Sequence, residues 1–79
     1  MRKQVINVCM TGSPRNFGWA TKAAFLKEVG QYVDVNDVDI KKCDVLVTDD
    51  MMSNTVKMQY AAEHGKDIYT YDEFLNLYV

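Results

Sequence analysis

Residues 4–19, QVINVCMTGSPRNFGW, decide how the chain is read. The stretch from Gln4 to Met10 is a β-branched apolar run. It stops on Thr11-Gly12-Ser13-Pro14, residues that form turns and that a strand interior avoids. A buried strand is therefore predicted, followed by a loop and then a helix from about Gly18 to Val29. Trp19, Ala23 and Leu26 fall at i, i+4 and i+7, and Phe25 and Val29 widen that stripe. Lys22 lies inside the stripe, so its amine is expected to snorkel to an edge or to meet an anion. Gly30 is expected to end the helix as a C′ residue.

Working outward, YVDV reads as a second, alternating strand and DVLVT as a third. The unbroken apolar run of the third suits a central strand covered on both faces. Asn54 or Thr55 can cap the next helix, which carries Val56, Tyr60 and Ala61 before Gly65 closes it. IYTY reads as a short fourth strand, and YDEFLNLYV as a final amphipathic helix entered through Asp72. Strands joined by helical crossovers imply a mainly parallel sheet with helices on its faces. In such sheets ligands collect at the carboxyl ends of the strands. The loop after Met10 and the segment DDMMSN both lie at that end.

A chain of 79 residues is one domain, residues 1–79, large enough for a single core without metal or disulfide. With 48% hydrophobic and 25% charged residues it reads as an ordinary globule, neither disordered nor membrane-embedded. The net charge of −2 argues against a wholly basic surface, so any anion site must be a local patch. Cys9 and Cys43 are not in paired spacings and read as buried thiols in a reducing compartment. The basic start MRKQVINVCM is too short for a signal or a spanning segment. A cytoplasmic location is expected, or a nuclear one in a eukaryote.

The loop carries chemistry suited to an anion. Thr11 and Ser13 offer hydroxyls, and Gly12 lets a backbone N–H approach closely. Arg15 supplies a planar fork, and the loop feeds a helix N-terminus whose dipole favours negative charge. Lys57 falls in the first turn of the second long helix, where a cation opposes the dipole unless it meets an anion. The bland reading is a turn of turn-forming residues beside a solvated lysine.

Taken in order, these pieces look like a BRCT domain. An apolar strand ends in Thr11-Gly12, and a helix follows and ends at Gly30. CDVLVT stands where the family has its hydrophobic third strand. KMQYAAEHG places Lys57, Ala61 and Gly65 at four-residue steps, and DIYTYDEFL resembles the closing strand and last helix. The resemblance covers nearly all of the chain. It implies a four-stranded parallel sheet in the order 2-1-3-4, with the first and third helices on one face and the second on the other. It also implies phosphate binding by Thr11, Gly12 and Lys57. Ser13, Arg15 and Lys22 are expected as auxiliary contacts, with Arg2 and Lys3 as secondary candidates. Phe74 stands near the place of the family's tryptophan, as in the BRCT domains of bacterial NAD-dependent DNA ligases, and Gln31 replaces a frequent second glycine. Only one repeat is present, whereas peptide-specific members use two. The expected role is thus a non-catalytic module of DNA replication or repair, without a cofactor. Its expected partner is a DNA end or nick, with or without a 5′ phosphate, or else a phosphoprotein. Other replication and repair proteins are further partners. The alternative is a phosphate-independent adaptor or dimerisation module.

The same residues also resemble other chemistries. Cys9 and Arg15 have the spacing of a phosphatase loop, in which a thiolate attacks phosphorus. Against this, Cys9 sits within the strand, and Pro14, the only proline, excludes an Asp-Pro acid segment. A sugar-transport domain with Cys9 as phosphate acceptor meets the same objection. Asp49 or Asp50 echoes the acceptor of a receiver domain, but the acidic pair that holds Mg²⁺ there is replaced by Thr11-Gly12. Asp49 and Asp50 instead suit the dipole of the following helix, yet carboxylates near the crevice would repel a phosphate. His64 reads as a helix-terminal residue and not a metal ligand. Tyr60, Tyr69, Tyr71 and Tyr78 read as core or edge aromatics, and Met51-Met52 as loop.

Overall fold

Side chains of the inner strands alternate between the two faces of the sheet, and both faces are covered. The computed structural model describes residues 4–79. The strands are β1 (Val5–Met10), β2 (Asp34–Asp37), β3 (Val45–Thr48) and β4 (Asp67–Thr70), and the helices α1 (Lys22–Val29), α2 (Val56–Glu63) and α3 (Tyr71–Asn76). All strand pairs are parallel, as the strand and helix pattern predicts, and the order is β2-β1-β3-β4, as the resemblance implies. Ile6, Val8, Met10, Val45 and Val47 face one side, where Phe25 and Val29 of α1 and Tyr71 and Phe74 of α3 cover them. Cys9 and Leu46 face the other, beneath Met58 and Ala61 of α2. β3 is buried throughout, as a central strand should be. No described helix is long and apolar enough to cross a membrane.

Four local expectations are corrected. The first helix does not begin at Gly18. Pro14–Phe17 forms a single 3₁₀ turn that ends at Gly18, whose φ of 97° is left-handed. The chain then runs to Thr21, which caps α1 by accepting the Ala24 N–H at 3.1 Å. The buried stripe is therefore Phe25 and Val29, with Ala23 exposed and Lys22 exposed at the first helical position. Trp19 reaches the core from outside the helix, edge-on to Phe25 with ring centroids 4.9 Å apart, and donates to Glu28.

Gly30 has φ −62°, so it is not a left-handed cap; the chain continues in tightened turns. The N–H groups of Tyr32 and Val33 both reach back to the Val29 carbonyl, at 3.0 and 3.1 Å. That delays the second strand, which starts at Asp34 and not at Tyr32. At the other end, Thr70 caps α3 in a reciprocal capping box with Glu73, so Tyr71 leaves the fourth strand and the helix is not entered through Asp72. Thr55, one of the two predicted caps, starts α2. Cys9 and Cys43 are free and buried.

Candidate anion-binding site

The loop that leaves β1 is held from three directions. Its first residue extends the ladder, Thr11 donating its N–H to the Val47 carbonyl at 2.9 Å. From α3, the buried Tyr71 hydroxyl shares its hydrogen between the carbonyls of Thr11 at 3.0 Å and Gly12 at 3.3 Å. From the end of β3, the Asp49 carboxylate accepts the Ser13 N–H at 3.1 Å. Gly12 is left-handed with φ +74°, and a Cβ placed on it would lie 2.0 Å from Asp49 Oδ1. Glycine is required here twice over, by backbone conformation and by the carboxylate against its Cα. Burial pushes the Tyr71 hydroxyl up to about 12, with Asp49, Cys9 and Asp37 adding to the rise.

Two clefts flank this edge. The first, about 490 Å³, is lined by Gly12, Ser13 and Arg15 from the loop and turn, and by Thr21 and Lys22 at the start of α1. Arg15 is steadied by Nε donating to the Ala20 carbonyl at 3.4 Å, and Ser13 Oγ accepts the Arg15 N–H at 3.3 Å. The terminal guanidinium nitrogens and the Lys22 amine have no partner among the described residues. No carboxylate lines this cleft among the described residues. Its chemistry is that of an oxyanion host, with a guanidinium, an ammonium and hydroxyls around a helix N-terminus.

The second cleft, about 650 Å³, is lined by Cys9 and Met10 at the end of β1, by Asp37, Val38, Asp39, Ile40 and Lys41, and by Lys57 of α2. Here the charges are mixed. Lys57 is exposed in the first turn of α2, where the Thr55 hydroxyl accepts the Met58 N–H. The predicted groups are thus distributed. Gly12, Ser13, Arg15 and Lys22 share the first cleft, Lys57 opens on the second, and half-buried Thr11 lines neither. Arg2 and Lys3 lie outside the described residues.

The rival chemistries can be placed as well. Cys9 lines the second cleft and Arg15 the first, and burial raises the Cys9 thiol although Lys57 and Lys22 pull it down. Asp50 accepts the Met52 N–H at 2.9 Å, and Asp49 is bound to the loop. His64 ends α2, stacked on Tyr60 with centroids 4.0 Å apart, and no metal-holding group exists among the described residues. The contact between Asp49 and the loop escaped sequence reading, yet a signal for it was present. Val8, Cys9 and Met10 pair with Val45, Leu46 and Val47, and the same offset sets Gly12 beside Asp49. Compared with protein-family models, curated proteins and solved structures, the chain matches none.

Proposed function

We propose that the chain is a BRCT-like binding module without catalytic chemistry that holds DNA, at an end or nick, during replication or repair. The observation that carries this reading is the first cleft. Arg15 and Lys22 flank it beside the α1 N-terminus at the carboxyl end of β1, and no carboxylate lines it among the described residues. Gly12 and Ser13 form its wall, and Thr11 joins that wall to the sheet. Lys57 opens from the opposite face of the same sheet edge. A ligand with phosphates in series can meet both, which favours a nucleic-acid backbone over one isolated phosphate.

The test is fluorescence anisotropy with a nicked duplex. Three phosphate contacts predict a log–log salt slope of about −2.7, a loss of roughly fortyfold between 50 and 200 mM salt. Replacing Arg15 and Lys22 together by alanine should bring the slope to about −0.9. An unchanged slope would refute the contact set, and binding of a labelled phosphopeptide but of no DNA would move the partner to a phosphoprotein. The second reading, a phosphate-independent adaptor, draws on the segment after β3, where Met51, Met52 and Val56 are exposed, Met52 to 89% and Val56 to 81%. Failure of every DNA to bind would leave that reading in place.

A further inference from the structure

Asp49 is the charged group that packs directly against the Gly12–Ser13 loop, and the proposed binding chemistry does not use it. Its carboxylate stands behind the Gly12–Ser13 wall, holding the Ser13 N–H at 3.1 Å and pressing on the glycine Cα. That amide is therefore already satisfied and cannot serve a ligand. Only the Gly12–Ser13 backbone separates the carboxylate from the cleft, so the field of Asp49 reaches a bound anion. Arg15 and Lys22 bring two positive charges to the cleft, and Asp49 offsets one of them.

We infer that Asp49 is a specificity-determining residue, which directs the cleft to the monoanionic phosphodiester of the DNA backbone and away from a dianionic terminal phosphate. The inference rests on the anion-binding reading above. A phosphodiester carries a single negative charge and matches the net charge of the site. A terminal phosphomonoester carries between −1.5 and −2 near neutral pH. The repulsion from a fixed carboxylate scales with ligand charge, so it opposes the terminal group nearly twice as strongly. The partner class is then the continuous backbone at a nick, and the 5′ phosphate is not the recognised group.

The experiment compares two nicked duplexes, alike except for a 5′-phosphate or a 5′-hydroxyl at the nick, with the full chain and with Asp49→Asn and Asp50→Asn. Asparagine is isosteric and still accepts the Ser13 N–H. Asp50→Asn makes the same charge change off the loop. The unaltered protein should bind the 5′-hydroxyl duplex at least as tightly as the 5′-phosphate one. Asp49→Asn should bind the 5′-phosphate duplex roughly tenfold tighter than the unaltered protein does, the size expected of one unit charge across a partly solvated gap. It should then prefer the 5′ phosphate, while Asp50→Asn leaves the preference where it was. A clear 5′-phosphate preference in the unaltered protein overturns the inference without need of any variant. So does an equal response to the two substitutions. Binding that is lost on Arg15→Ala but indifferent to Asp49→Asn removes the selectivity alone; absence of binding in all three proteins removes the DNA-binding reading itself.

Discussion

Gly12→Ala is the substitution through which the loop geometry can be weighed. Glycine holds φ +74° there, and an alanine in the left-handed region costs about 1–2 kcal/mol, offset by a few tenths from a stiffer unfolded chain. Its Cβ would also fall 2.0 Å from Asp49 Oδ1, so the carboxylate must leave. Leaving gives up the bond from the Ser13 N–H, a charged-acceptor hydrogen bond of about 2 kcal/mol. The sum is about 3 kcal/mol, against a total stability of roughly 4–12 kcal/mol for a domain of this length. Asp49→Ala alone should cost about 2 kcal/mol, because it removes the same bond. The two losses share one interaction, so the double variant should cost about 3 kcal/mol and not about 5. Urea unfolding followed by Trp19 fluorescence reads this directly, since the only tryptophan packs on Phe25 in the core. The midpoint should fall with the slope unchanged. If Gly12→Ala costs as much in the Asp49→Ala background as in the natural one, the carboxylate does not occupy that space.

Tyr71 ties the loop to α3, and its hydroxyl, ordinarily near 10.0, is raised to about 12. The stability that the neutral hydroxyl lends is complete below pH 10 and is lost as pH rises through 12. Tyr71→Phe should thus be less stable than the natural protein by about 1 kcal/mol at pH 8, with the gap closing or reversing above pH 11, as measured by urea titration at each pH. A constant gap would show that the hydroxyl does not titrate from a buried position. Thr70→Ala removes the capping box of α3 and should lower stability by about 1 kcal/mol; no change would mean that the reciprocal Thr70–Glu73 bonds contribute nothing.

The strand order was implied by the resemblance alone, whereas the parallel sheet with helices on its faces was legible because the inner strands are short apolar runs and glycines punctuate the crossovers. β3 shows this most plainly, since VLVT is unbroken and buried on both faces. Helix boundaries were less legible. Trp19 falls in helical phase with Leu26, but Gly18 and the Thr21 cap break the chain between the 3₁₀ turn and α1, and capping outweighs periodicity over so short a span. Tyr71 reads from sequence as a core or edge aromatic in the fourth strand, and it is a core residue, but of the helix. Reading Thr70 and Glu73 as a capping box would have placed it at the first helical position, one turn from the loop it holds.

The site was legible as a set of residue types and not as an arrangement. Lys57 and the loop are far apart in sequence, and whether their side chains open on one cleft depends on the three-dimensional course of the sheet edge. Asp49 was expected to serve the α2 dipole. The parallel register instead aims it at Gly12, because strands that pair in phase leave their first loop residues side by side.

The most direct measurement is a map of backbone amide shifts as a nicked duplex is titrated into the isotope-labelled chain. The account predicts the largest shifts at Ser13, Arg15, Thr21 and Lys22, smaller ones at Lys57, and none at Met51, Met52 and Val56. Shifts confined to that apolar segment, or no shift anywhere, would contradict it.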